Sequence, residues 1–240
     1  MTDPQLPNDQ EPRQWLVKTE PEQFLAGPDS FFKEILRLSK IIADYIRGFY
    51  AFRDVHRCVT VFGSARFPKY HRYYQMAYDT GYQLAMHNFT VMTGGGPGVM
   101  EAANHGAKMA NGKSIGCSIK LVREEKPNHY LDKWITFKFF FIRKMMLTKY
   151  SLGFVVLPGG FGTMDELFEM ATLIQTGKIK NFPVVLMGKD FWQPLIKFMS
   201  DYLVANGTIT DQDIHQLTLT DSPQEAVEFI NAYIRNSSKK

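Results

Sequence analysis

The residues best suited to chemistry lie in three glycine-bearing segments and one basic pair. The fullest segment reads Leu157-Pro158-Gly159-Gly160-Phe161-Gly162-Thr163-Met164-Asp165-Glu166. It follows an apolar run that reads as a strand, and a helix is expected from Met164 with the Thr163 hydroxyl at its N-cap. Glycines at such a junction leave backbone N–H groups open at the positive end of a helix. Gly159, Gly160, Gly162 and Thr163 are therefore candidates for a phosphate cradle. The lysine of a Walker loop is missing after the last glycine, so kinase or ATPase chemistry loses its main support. Glu166 falls in the first helical turn, where a carboxylate complements the helix dipole. Beside a bound phosphate it would be repelled, which makes a chemical task the better explanation. Glu169, one turn on, needs only the dipole.

A second segment, Thr93-Gly94-Gly95-Gly96-Pro97-Gly98-Val99-Met100-Glu101, again joins a strand to a helix. Consecutive glycines cost backbone entropy and suit a close approach of N–H groups to a ligand, with a flexible turn as the plain alternative. The first segment, Val61-Phe62-Gly63-Ser64-Ala65-Arg66, lacks the G-x-G-x-x-G spacing of a dinucleotide site, which argues against NAD. Gly63 and Ser64 are candidate ligand contacts there, and an ordinary tight turn explains them equally well. The basic pair is Arg143-Lys144, on a helix whose residues Phe139, Ile142, Met146 and Tyr150 share a buried face. A solvated helix face is the usual reading of such cations. Residues 102–150, however, hold ten bases and three acids, a net +7 against +4 for the whole chain.

Short apolar runs at residues 58–62, 89–92, 115–119, 134–139, 154–157 and 184–187 alternate with helical patterns at 73–87, 98–111, 140–150, 164–175 and 191–205. A closing helix begins at Ser222 with Pro223 in its first turn. Strands apolar nearly throughout, alternating with helices, predict an α/β, Rossmann-like open parallel sheet with helices on both faces. In that architecture ligands bind beyond the carboxyl ends of the strands, where all three segments lie. The period of Phe32, Ile35, Leu38, Ile42, Tyr45 and Phe49 predicts an amphipathic helix over residues 30–54, preceded by an acidic flexible arm at 1–29. Residues 55–240 are expected to form a single nucleotide-binding domain.

The 240 residues are 45% hydrophobic and 22% charged, which excludes wholesale disorder and leaves ample material for a core. The arm carries a net −4 over residues 1–30, so the rest carries +8. That field suits a small phosphorylated anion better than a nucleic acid. The two cysteines, Cys58 and Cys117, exclude a disulfide framework and read as buried free thiols. No His, Cys and carboxylate cluster has ligand spacing, so neither a metal nor another cofactor is expected. A polar N-terminus and the lack of a long apolar run predict a cytoplasmic protein that does not enter a membrane.

These motifs resemble those of the LOG (Lonely Guy) family. Gly94 to Glu101, Arg143-Lys144, and a P-G-G-x-G-T-x-x-E pattern met at every fixed position by Pro158 to Glu166 carry the resemblance, with fifteen residues from Arg143 to Pro158. It covers about residues 58–206. It implies a homodimer, or a higher homo-oligomer, that hydrolyses nucleoside 5′-monophosphates to free base and ribose 5-phosphate, with Arg143 and Glu166 as the catalytic pair. Ligand contacts are implied for Lys144, Thr172 and an acidic residue falling on Glu125, and along the second segment through Met100 and Glu101. The sequence Phe62-Gly63-Ser64-Ala65 departs from the C-G-S-S of cytokinin-type members and is closer to the bacterial nucleotide-nucleosidase branch, which favours a common nucleotide such as AMP over a cytokinin ribotide. Relatives have been labelled lysine decarboxylases, and others bind molybdenum cofactor. A non-catalytic nucleotide or molybdenum-cofactor carrier is therefore the alternative, and no lysine stands out as a Schiff-base candidate.

Overall fold

The computed structural model describes residues 24–120, 126–180 and 182–237. Seven strands form one sheet: β1 (Cys58–Phe62), β2 (Thr90–Thr93), β3 (Ser114–Ile119), β4 (Lys133–Phe137), β5 (Ser151–Val156), β6 (Val184–Met187) and β7 (Leu217–Thr220). Their spatial order is β4-β3-β2-β1-β5-β6-β7 and every pairing is parallel. Winding runs one way from β1 to β4 and the other way from β5 to β7. The carboxyl ends of β1 and β5 consequently open a crevice at the switch point, between the first and third glycine segments.

Alternate strand residues serve two cores. Cys58, Phe62, Phe154, Val156, Val184 and Leu186 pack with α1 (Phe31–Phe52), α4 (Phe140–Tyr150), α5 (Phe161–Gln175) and α6 (Lys189–Phe198). Val59, Val61, Val155, Val185 and Met187 pack on the opposite face with α2 (Arg72–Met86), α3 (Val99–Met109) and α8 (Pro223–Ser237). Burial on both faces is the reason these strands are apolar throughout rather than alternating. Cys58 and Cys117 are both buried free thiols. Among the described residues no helix is long and apolar enough to cross a membrane.

Several expected boundaries move, each for a local reason. The run 134–139 ends as a strand at Phe137, because Phe139 is the N-cap of α4. At the turn between them the Lys138 N–H donates to the buried carboxylate of Asp44 at 2.8 Å, tying α1 to the sheet. The pattern at 191–205 is α6 followed by a π-helical turn, Met199–Val204. Two elements were not expected: α7 (Asp211–His215), opened by a Thr210–Asp213 capping box, and the edge strand β7. With only four residues, two of them threonine, β7 gives little periodic signal.

Candidate active site

The third segment starts its helix earlier than its hydroxyl indicates. Gly160 is the N-cap of α5, and Thr163 sits inside the first turn with its N–H bonded to Gly160 O at 3.0 Å. Thr163 is therefore not the cap. Gly160 and Gly162 have no neighbour within 4 Å of an added Cβ, so the first turn presents bare backbone to the crevice. Gly159 differs, since a methyl group there would lie 2.1 Å from Thr163 Oγ1. The threonine hydroxyl is thus packed directly over the glycine backbone.

Backbone hydrogen bonds stitch the three segments into one rim. Ser64 N–H donates to Pro158 O at 3.0 Å, and Val99 N–H donates to Ser64 O at 3.0 Å. The second contact needs Gly98, whose φ of +66° is a left-handed conformation and whose added Cβ would strike Ser64 O at 2.5 Å. The rim encloses a cleft of about 670 Å³, lined by Gly63, Ser64, Met100, Arg143, Gly159, Gly160, Gly162 and Thr163, and also by Phe62, Ala65, Arg66, Phe161 and Met164. That volume suits a ligand of nucleotide size.

Arg143 reaches the cleft from the first turn of α4. Its Nε donates to Cys117 O within β3 at 3.1 Å, and its Nη1 stands 3.6 Å from Glu166 Oε1. Glu166 is 3% exposed and is not itself among the cleft-lining residues, which it meets through Arg143. Burial pushes its carboxyl up to about 7 from an ordinary 4.5, while Arg143 and then Lys144 pull it back. The pair is thus a partly desolvated carboxylate poised to hold or release a proton near neutrality, with a guanidinium fixed beside it.

Some expected contacts lie elsewhere. Lys144 pairs with Asp165 at 2.9 Å and Glu169 at 2.7 Å on α5, so it braces α4 against α5 outside the cleft lining. Because the helix begins at Phe161, neither Glu166 nor Glu169 lies in its first turn, and this bridge rather than the helix dipole accounts for Glu169. Glu101 pairs with Lys69 at 3.2 Å, also outside the lining. Thr172 is exposed on α5 and donates to Phe168 O at 2.8 Å. Gly94, Gly95 and Gly96 stand behind the cleft: an added Cβ on Gly94 would lie 2.7 Å from Met100 Sδ and 3.0 Å from Arg143 Nη2, so this loop backs both side chains. Glu125 falls outside the described residues. Among the described residues, no group of three or more His, Cys, Asp or Glu side chains is arranged to hold a metal ion.

Two contributors escaped the sequence reading. Arg66 ends the first segment and lines the cleft as a second cation, a position its place after Gly63-Ser64 already signalled. Asn128 hydrogen-bonds the glycine loop from a stretch with no periodic signal.

The chain is similar to several known proteins. The profile of the family described as "Possible lysine decarboxylase" matches residues 100–230. A "Probable cytokinin riboside 5'-monophosphate phosphoribohydrolase LOGL2" of Oryza sativa subsp. japonica is 29% identical over 180 residues, covering 74% of this chain and 73% of its own. The cytokinin riboside 5'-monophosphate phosphoribohydrolase of Mycobacterium tuberculosis is 29% identical over 157 residues, covering 64% of this chain and 82% of its own. Among solved structures, the molybdenum cofactor binding protein of Rippkaea orientalis superposes with a TM-score of 0.54 at 26% identity, over 73% of this chain and 94% of that one.

Proposed function

The chain belongs to the LOG family, to which the matched profile and the phosphoribohydrolase relatives point, and on that premise we propose that it hydrolyses the N-glycosidic bond of nucleoside 5′-monophosphates. The observation that carries this reading is a buried carboxylate, Glu166, beside Arg143 and one helical turn from an open glycine cradle. The cradle of Gly159, Gly160, Gly162 and Thr163 takes the 5′-phosphate on free N–H groups at the start of α5, with Arg66 as a further cation. Binding energy at this unreactive end holds the ribose against Glu166.

As the bond from C1′ to the base nitrogen breaks, its electron pair leaves with the base and positive charge develops on the ribose ring. Ionised Glu166 faces that charge and accepts hydrogen bonds from the ribose or from the attacking water. The water oxygen bonds to C1′, and of its two protons one remains on the new hydroxyl while the other balances the departing base. Arg143 offsets part of the burial that favours the protonated carboxyl and stands beside it to fix its direction. The products are free base and ribose 5-phosphate.

The first segment favours a common nucleotide such as AMP over a cytokinin ribotide. A cytoplasmic homo-oligomer is part of the same reading. Support for the oligomer comes from Ile35, Leu38, Ile42, Ile46 and Phe49 of α1, each at least 43% exposed along one side of the helix. Among the described residues no lysine lines the cleft, which gives decarboxylation through a lysine Schiff base no support there. The likeness to the molybdenum cofactor binding protein favours a carrier as the second reading. A carrier needs the glycine cradle but not Glu166. Purified protein incubated with a panel of monophosphates tests the proposal: base and ribose 5-phosphate released in equal amounts support it, and tight ligand binding without release supports the carrier.

A further inference from the structure

The three consecutive glycines behind Arg143 are held in place by side chains rather than by secondary structure. Asn128 makes most of these bonds. Its backbone N–H donates to Gly95 O at 2.9 Å, and its Nδ2 reaches Gly95 O and Gly96 O, each at 3.2 Å. The same amide nitrogen meets Asn104 Oδ1 at 3.0 Å, while Asn128 Oδ1 accepts from the Tyr130 N–H at 3.1 Å. Asn104 is fully buried on α3 and continues the chain: its Nδ2 donates to Ser114 Oγ at 2.8 Å, and its Oδ1 accepts from Thr93 Oγ1 at 2.6 Å. Thr93 Oγ1 in turn accepts the Gly95 N–H at 2.9 Å. The third carbonyl, of Gly94, accepts from Ser118 Oγ at 2.9 Å.

All three glycine carbonyls are therefore engaged by donors on the side chains behind the loop. Residues with such open conformational freedom would otherwise sample many states. What the loop carries in front is Arg143: Gly94 packs against its Nη2, and β3, which supplies Ser118 to the loop, also supplies the Cys117 carbonyl to its Nε. The guanidinium thus has a backing wall on one side, a carbonyl anchor on its Nε, and Glu166 opposite.

We propose that Asn128 is a positioning residue for hydrolysis, which fixes the Gly94–Gly96 loop from behind and through it the direction of Arg143 toward Glu166. The role rests on the phosphoribohydrolase reading of the cleft. Asparagine suits the task because one amide supplies donors to two carbonyls and an acceptor to a third backbone group. Aspartate in its ionised form turns a carboxylate oxygen against three acceptors, Gly95 O, Gly96 O and Asn104 Oδ1, whereas its protonated form restores one donor.

N128D and the non-titrating N128L are compared with the full-length wild type between pH 5.5 and 8.5, with AMP as substrate. The expected result is a kcat for N128D reduced about a hundredfold relative to wild type at pH 8.5 and recovering toward that of N128L as pH falls, against a loss of about tenfold at pH 8.5 for N128L. KM changes little in both, because the phosphate cradle lies on the far side of the cleft. Glu166 titrates beside Arg143 and shifts alike in both variants, so the ratio of N128D to N128L at each pH isolates the new carboxyl; the other charged groups around the loop are common to all three proteins. These are Arg143, the Asp132–Lys108 pair, and His105 stacked on Tyr130. A second readout is independent of turnover: hydrogen exchange at Arg143 Nε, followed by NMR and assigned with R143K, should accelerate at least tenfold in both variants. Unchanged Arg143 exchange, or a kcat equal to wild type with only thermal stability lowered, overturns the positioning role. If N128D does not fold, N128S is carried through both readouts with the loss expected of N128L. A wild type that releases no base overturns the hydrolase reading instead, and the exchange measurement then still decides whether Asn128 positions Arg143.

Discussion

Glu166 is kept in the protein at a cost to stability. Its carboxyl is raised to about 7 when folded and returns to about 4.5 when the chain unfolds, so the folded state binds more protons between those values. The stabilising contribution of the protonated form is complete below about pH 4.5 and is lost as pH rises through about 7. Above that the ionised group opposes folding by about 3 kcal/mol, taking 1.36 kcal/mol per pKa unit. Glu166→Gln should accordingly raise the melting temperature at pH 8 and leave it nearly unchanged at pH 4.5. The same substitution should lower kcat about a thousandfold. Loss of activity with gain of stability is the signature of a group retained for chemistry. Because Glu166 acts ionised, kcat/KM should climb with pH through an apparent pKa near 7. A profile falling across pH 6 to 8 would mean that the protonated form does the work.

At the scale of elements, the first turn of α5 and the packing of α1 carry separate predictions. Gly159→Ala places a methyl group 2.1 Å from Thr163 Oγ1, and the cradle must open to admit it. Calorimetry should show affinity for AMP and for ribose 5-phosphate reduced alike, about tenfold or more, since both present the same phosphate. Equal binding by mutant and wild type would remove the phosphate from this turn. Asp44, 2% exposed on α1, accepts the Lys138 N–H and pairs with Arg47 at 2.5 Å. Asp44→Ala leaves a backbone donor without its partner at the turn feeding α4, and chemical denaturation should show a loss of about 1–3 kcal/mol.

These elements were unequally legible from the chain alone. Strands buried on both faces and helices of ten or more residues announce themselves by composition and period, and β1 appears over the very residues 58–62 that its apolar run marked. The three strand-end segments converge because a parallel sheet sends all its strand ends to one edge. What the chain does not announce is set by neighbours distant in sequence. The helix of the third segment begins at Phe161 because glycines leave room for it, not where the hydroxyl stands. Lys144 turns to Asp165 and Glu169, a choice made by the α4–α5 packing, and Asn128 has meaning only once Gly95 and Gly96 fold beside it.

The whole molecule combines this one-sided site with an apolar flank. Helix α1 inserts Asp44, Gly48 and Phe52 into the body and leaves the stripe from Ile35 to Phe49 to solvent, alongside Phe141 and Met145 of α4. On the proposed reading this exposed apolar stripe is where a second copy of the chain packs. Light scattering should give the wild type at least twice the mass of one chain, and the double substitution Ile42→Glu with Ile46→Glu should lower it. A wild-type mass of one chain would rule the oligomer out.

The claim on which the rest depends is cleavage by the Arg143–Glu166 pair. The direct measurement is the simultaneous quantitation of adenine and ribose 5-phosphate released from AMP by the wild type, Arg143→Ala and Glu166→Gln at pH 8. Equimolar products are expected from the wild type, with loss of release of about a thousandfold in each folded variant. Equal release by all three proteins, or none by the wild type on any nucleoside monophosphate, contradicts the claim.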